Sequence, residues 1–371
     1  MSLNLNDFGK DVKQERGTQR KLASVQSISV LEPIPKADNL ELAHILGWKA
    51  VVQKGYKVGD KVVYIEIDSF IPTTNKVFDF LKDRCYKKLE DGREGYRIKT
   101  LRLRGQISQG LVMPMSILKG DYHVGTDVTE ELGIVKYEPI IPKCLTGKVK
   151  GSLPSFVIKT DETRVQLLGD ILSRYVNTRC YVTEKLDGSS VTYYLKDNIF
   201  GVCSRNMELK IDDEDNKKTN AMIRWGIEHN IEKKLREKSP IRNVIIQGEI
   251  HGVGICSNRL KLNEINVRFF NVFDIDKYRY LDYQEFIDFC KILDIETVPV
   301  VGTDFFLTND IDILVELSKG KSVLNPEVNR EGLVIRPMKE ILDLGMSTYN
   351  YSTARLSFKV INPEYLLKDG E

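Results

Sequence analysis

The chain has 371 residues, 42% of them hydrophobic and 29% charged, a globular composition with room for two or three domains. No apolar run approaches the roughly 20 residues of a membrane-spanning helix. Net charge is only +2, which excludes nucleic-acid binding through bulk charge, so any basic footprint has to be local.

Residues 1–19 are polar with both charge signs and no apolar secretory core, and are expected to form a flexible arm. Arg20 to about Ile140 reads as short strands and turns: Lys21–Leu31, Glu41–Leu46, Trp48–Val52, Lys61–Ile67, Arg97–Arg104 and Gly110–Met115. That succession predicts a small closed β barrel over 20–140. Within it, Lys82–Arg104 is rich in Lys and Arg with Tyr86 and Tyr96 interleaved. Leu101 and Leu103 alternate with Arg102 and Arg104, so one strand face would be apolar and the other basic. Arg97, Lys99, Arg102 and Arg104 are the candidate nucleic-acid contacts, because a phosphate backbone is tracked by such a stripe. Proline, glycine and lysine mark 141–155 as a linker.

From Phe156 to the end, 156–371, an α+β domain is predicted, built on mixed, largely antiparallel sheets with flanking helices. Helices are expected over Arg164–Tyr175, Lys217–Lys238 and Tyr283–Leu293. Strands are expected at Gly201–Ser204, Val244–Gly248, Val267–Ile275, Gly332–Ile335 and Leu356–Ile361. The acidic run Asp212–Asp215 reads as a solvated loop. Six scattered cysteines lack a Cys-x-x-Cys pair, which fits reduced thiols in a cytosolic or nuclear setting.

The chemistry centres on Tyr181–Ser190, where Lys185 meets an Asp187-Gly188 turn between two β-prone runs, the pattern of a hairpin. Lys-x-Asp-Gly alone arises by chance in about one chain in ten of this length. Other segments, however, repeat one theme, a charged residue beside an apolar strand: Ser204-Arg205, Gly248-Glu249, Phe273-Asp274, Glu331-Gly332 and Lys359. A carboxylate at the edge of a buried strand costs several kcal/mol unless it is paired or metal-bound, so Glu249 and Glu331 require partners.

This ordered set resembles the motifs of the covalent nucleotidyltransferases, the polynucleotide ligases and mRNA-capping guanylyltransferases, over roughly Phe156–Leu366. Thr160-Asp161-Glu162-Thr163-Arg164 upstream of Lys185 and the barrel ahead of the catalytic segment are similar to ATP-dependent RNA ligases with an N-terminal OB domain, the Deinococcus and Naegleria type. Arg104–Gly110 also resembles their OB segment. Only twelve residues follow Lys359, so the C-terminal OB domain of capping enzymes and DNA ligases is not expected. The resemblance implies Lys185 as nucleophile toward ATP, with RNA carrying 3′-OH and 5′-phosphate ends, such as a nicked duplex, as partner. It implies a nucleotide site of Arg164, Thr183, Glu184, Lys185, Asp187, Arg205, Glu249, Phe273, Glu331 and Lys359. In it the backbone near Thr183 and Glu184 reads the base, Phe273 stacks on it, and Lys359 binds the α-phosphate. Mg²⁺ or Mn²⁺ would be held by Asp187, Glu249 and Glu331, mostly through water. Where the family has a second lysine, this chain has Ser357, and Arg355 is the candidate substitute. Rival readings are a GTP-dependent capping enzyme, a DNA ligase, and a non-catalytic RNA-binding protein on a ligase scaffold.

Overall fold

The computed structural model describes residues 20–89, 91–138, 141–348 and 354–367; the expected N-terminal arm lies outside them. The N-terminal part is a β barrel. The predicted strand Lys21–Leu31 divides into Ala23–Ser27, paired with Lys61–Ile65, and Val30–Pro33, paired with Leu40–Ile45. At the break, Ile28 N–H turns to Asp60 O and Ser29 N–H to His44 O, so one chain segment serves two sheets and makes a barrel corner. Leu40–Ile45 and Trp48–Gln53 form a hairpin. The barrel closes where Gln109 N–H donates to Lys49 O and Leu111–Pro114 returns to Lys61–Ile65. Val62 and Tyr64 face one apolar cluster, with Trp48 and Ile45, while Val63 and Ile65 face another, with Ile71 and Phe78. Burial on both faces explains the unbroken apolar run; each such side chain contributes about 1.5–3 kcal/mol.

The C-terminal part contains two sheets. The first has seven antiparallel strands in the order Val149–Ser152, Met207–Leu209, Ile199–Cys203, Ser189–Lys196, Val244–His251, Asn266–Asp274, Arg279–Tyr280. The second has five: Thr163–Arg164, Phe358–Ile361, Gly332–Pro337, Arg179–Lys185 and Val300–Phe306, with one parallel pairing between the first two. Helices cover one face of the larger sheet, where Trp225, Leu235, Phe286 and Phe289 pack on Val191, Tyr193, Ile246 and Phe269. The alternate residues of those strands, including Glu249 and Gln247, point the other way.

Several expectations change. The stretch 141–155 is no free linker: Leu145 enters the core of the larger sheet and Val149–Ser152 is its edge strand. The helix expected over Lys217–Lys238 is three helices, Glu214–Thr219, Ala221–Glu228 and Ile231–Lys238. Asn220 caps the second through Met222 and Ile223 N–H, and Asn230 is left-handed. Asp213, in the expected acidic loop, caps the first. The helix expected from Arg164 starts only at Gly169, because Thr163 and Arg164 are held as a strand against Phe358 and Lys359. Tyr283–Leu293 is a helix as expected.

Candidate nucleotide site

The two strands flanking Asp187-Gly188 do not form a hairpin. Arg179–Lys185 pairs with Gly332–Pro337 and Val300–Phe306, whereas Ser189–Lys196 pairs with Ile199–Cys203 and Val244–His251. The turn carries the chain from one sheet to the other, which sets Lys185 at the seam. Gly188 is required there: a Cβ would lie 2.2 Å from Ile250 O.

Lys185 pairs with Gly332 in the ladder, which brings Glu331 alongside it. Its Nζ lies 2.8 Å from each carboxylate oxygen of Glu331, and its side chain is 25% exposed. Burial acts to lower the lysine's pKa, but Glu331, Glu249 and Asp187 outweigh it and hold the ammonium form. Burial raises the Glu249 carboxyl to about 8, with Lys185 opposing and Glu331 and Asp187 reinforcing the shift. Glu331 is raised for the same first reason. Asp187 Oδ2 accepts the Tyr365 hydroxyl at 2.6 Å.

A basic group stands beside this acidic one. Lys359 pairs with Val334 and with Arg164. Burial, then Arg164 and Lys185, push its pKa down to about 7, while Asp161 opposes. Arg205 donates to Asp161 Oδ1 at 2.6 Å, and Arg164 to Asp68 Oδ2 at 2.8 Å, so the barrel itself supplies a partner to the site. The site therefore has a surplus of acid around Lys185 and of base around Lys359.

Other expected residues are placed differently. Thr183 lies on the Lys185 face and is buried. The Glu184 side chain turns to the opposite face, where Oε2 accepts Val323 N–H at 2.7 Å and Oε1 is buried without a hydrogen-bond partner. Phe273 is not a free stacking platform: it is 3% exposed, meets Tyr278 and Tyr280 edge-on and packs with Val157 and Ile158. Phe270, packed beside Leu186 and Leu260, keeps partial exposure. Arg355 does not stand in for the missing lysine, since its fork is taken by Glu340 and Asn271. It is Arg336 that reaches Ser357, through Nε to Oγ at 2.8 Å, while its Nη2 bonds Glu162 at 2.8 Å. Asp68, Asp161, Glu162, Arg336 and Tyr365 were not among the expected site residues. Arg336 and Asp161 sit inside segments the motifs marked; Tyr365 carried no local signal.

The basic stripe of the barrel is distributed over several elements. Arg97 ends the strand Glu94–Arg97 and lies 4.1 Å from the Tyr137 ring centroid. Lys99 is half-buried, Arg102 is exposed on Leu101–Leu103, and Arg104 occupies the following turn with φ 50°, next to Gly105.

Among the described residues, no three His, Cys, Asp or Glu side chains converge enough to hold a metal ion unaided. The acid surplus that raises Glu249 is nevertheless what a divalent cation relieves, and Asp187, Glu249 and Glu331 fit one held largely through its waters.

A barrel joined to a two-sheet domain, with a partly buried lysine at the seam between acidic and basic groups, defines a nucleotidyltransferase architecture of the ligase kind. An OB-fold domain model matches residues 22–115, and an RNA ligase model matches residues 178–361. The chain is similar to the RNA ligase of Naegleria gruberi in its apo form, at 36% identity and a TM-score of 0.83, over 94% of this chain and 98% of that one. It is also similar to a variant of that ligase solved with ATP and manganese, at 36% identity and a TM-score of 0.84, over 95% of this chain and 100% of that one. A comparison with curated proteins gave no match. The chain belongs to the RNA ligase family.

Proposed function

We propose that the protein seals RNA ends with ATP, through a lysyl-AMP and then an RNA-adenylate intermediate. The observation that carries this reading is Lys185, held by both oxygens of Glu331 at the edge of a cationic group of Lys359, Arg164 and Arg205. Lys185 Nζ attacks the α-phosphorus of ATP; an N–P bond forms and pyrophosphate leaves. The AMP passes to an RNA 5′-phosphate, and an RNA 3′-OH then displaces AMP as the phosphodiester forms. A bound Mg²⁺ or Mn²⁺ would supply positive charge that lowers the proton affinity of the lysine and neutralises negative charge on the phosphates. Glu331 holds Lys185 in line and accepts the proton that the ammonium gives up before Nζ attacks. Lys359 and Arg205 bind phosphate oxygens, and Arg164 orients Lys359. Asp187 and Glu249 hold ribose hydroxyls or metal-bound water.

The Naegleria enzyme solved with ATP and manganese supports the choice of nucleotide and metal. Arg97, Lys99, Arg102 and Arg104 support contact with an RNA duplex, a nicked one being the form that presents both ends together. A role in RNA repair follows from such a substrate. The six free cysteines fit a reducing compartment.

The test is incubation with α-labelled ATP or GTP and a divalent cation. Acid-labile, protein-bound label from ATP is expected, and it should disappear in Lys185→Ala. Label from GTP alone, or none, rejects the reading. On nicked duplexes, RNA is expected to be required on the 3′-OH side; equal sealing of an all-DNA nick rejects RNA specificity.

A further inference from the structure

Tyr365 lies in the short helix Pro363–Leu367 that follows the Lys359 strand. It is 6% exposed, and its hydroxyl donates to Asp187 Oδ2 although the two residues are 178 apart in sequence. The helix is fastened to the site at its start, where Asn362 N–H donates to Glu331 O at 2.9 Å and Asn362 Oδ1 accepts Glu364 N–H at 3.0 Å. Arg259 stacks on the Tyr365 ring, 4.7 Å from its centroid, and donates to its carbonyl at 3.1 Å. The next residue, Leu366, packs against the barrel cluster of Ile45, Trp48 and Tyr64. Neighbours in a helix point about 100° apart, so two consecutive side chains reach two different domains.

We propose that Tyr365 is a positioning residue for Asp187, and that Leu366 makes this positioning depend on the seating of the N-terminal barrel. The inference rests on Asp187 serving the nucleotide, as argued above. With Oδ2 engaged by the phenol, the carboxylate cannot rotate freely, and Oδ1 is the oxygen presented to a ribose hydroxyl or metal-bound water. Leu366 packs on the barrel cluster, so its influence on Asp187 passes through the helix.

The test uses the full chain in a Lys185→Met background, where no adenylate forms, with ATP titrated calorimetrically in the presence of Mn²⁺. Tyr365→Phe keeps the ring and removes the hydroxyl; ATP affinity is expected to fall about 10- to 100-fold, the usual cost of a hydrogen bond to a charged group. Leu366→Ala is expected to lower it in the same direction by a smaller factor. Unchanged or tighter ATP binding in Tyr365→Phe overturns the proposal. Should Tyr365→Phe also lower the melting temperature, Asp187→Asn separates positioning from general loosening. A positioning role predicts no further loss when Tyr365→Phe is added to Asp187→Asn, and an equal loss in both backgrounds overturns it. Lysyl-AMP labelling of the unaltered chain is scored separately, so failure of the ligase reading is distinguished from failure of this one.

Discussion

At the scale of single residues, Lys359 offers the sharpest proton-linked prediction. A lysine held near 7 by burial and by Arg164 and Lys185 is mostly neutral at pH 8. A triphosphate beside it favours the cation, so ATP binding at pH 8 should take up a proton. Calorimetric enthalpies in buffers of different ionisation heat should reveal that uptake, and Lys359→Met should remove it; the same buffer dependence in both proteins counts against the assignment. Phe273 makes a different prediction. Its ring is enclosed by Tyr278, Tyr280, Val157 and Ile158, so Phe273→Ala should cost about 3–5 kcal/mol in chemical denaturation. A cost below about 1 kcal/mol would place the ring outside the packed core. What could be read from the sequence follows the same logic. Glu249 and Glu331 were legible because a carboxylate at the end of an apolar strand needs a partner, and both lie beside Lys185. Tyr365 was not legible, because its partner is fixed by the fold and not by spacing. Nor was the exchange of Arg355 for Arg336, since both arginines flank apolar strands and only packing decides which one reaches Ser357.

At the scale of elements, Tyr283–Leu293 was predicted to the residue because its apolar period and its start signal agree. Glu285 accepts Asp282 N–H and both arms of Arg279, which hold its carboxyl down at about 2. A carboxylate whose folded pKa lies below its unfolded value stabilises the fold above the unfolded value, here 4.5, and that contribution fades as pH falls toward 2. Glu285→Gln should therefore lower the melting temperature at pH 7 and converge on the parent near pH 2, wherever both remain folded. A constant gap across that range would deny the linkage. The strand at Lys21–Leu31 and the hairpin at Asp187-Gly188 were misread for one shared reason. Local alternation reports that a segment is extended, but not which neighbour it pairs with, and both segments change partners at a corner.

At the scale of the molecule, the barrel is seated on the catalytic domain by close backbone contact. The hairpin tip at Gly47 donates its N–H to Gln166 O at 2.9 Å, and a Cβ there would lie 2.7 Å from the Gln166 Cα. Asp68 pairs with Arg164, and Lys49 with Asp312. The barrel thus touches the candidate nucleotide site through Asp68 and Arg164 as well as carrying basic side chains. Gly47→Val, which no local turn preference makes severe, should push the two parts apart and slow lysine adenylylation at least tenfold. The same variant should seal a nick carrying a pre-formed adenylate with a smaller loss. Adenylylation at the parent rate would show that the seating is irrelevant to the first step. From sequence, a barrel and a catalytic domain were separable and their contact was invisible, since Gly47 and Gln166 meet only in the folded protein.

The seam at Lys185 has a mechanical consequence. Four Cα steps join Lys185 to Ser189, and an extended chain covers at most about 3.6 Å per step. At this edge the two sheets are therefore tethered by a strap of about 14 Å, with the nucleophile riveted to one end. Any widening of the cleft at this edge is limited by the reach of Leu186–Gly188. Lys185 ends a strand paired with Gly332, so the lysine stays with that sheet and with Glu331 whatever the other sheet does.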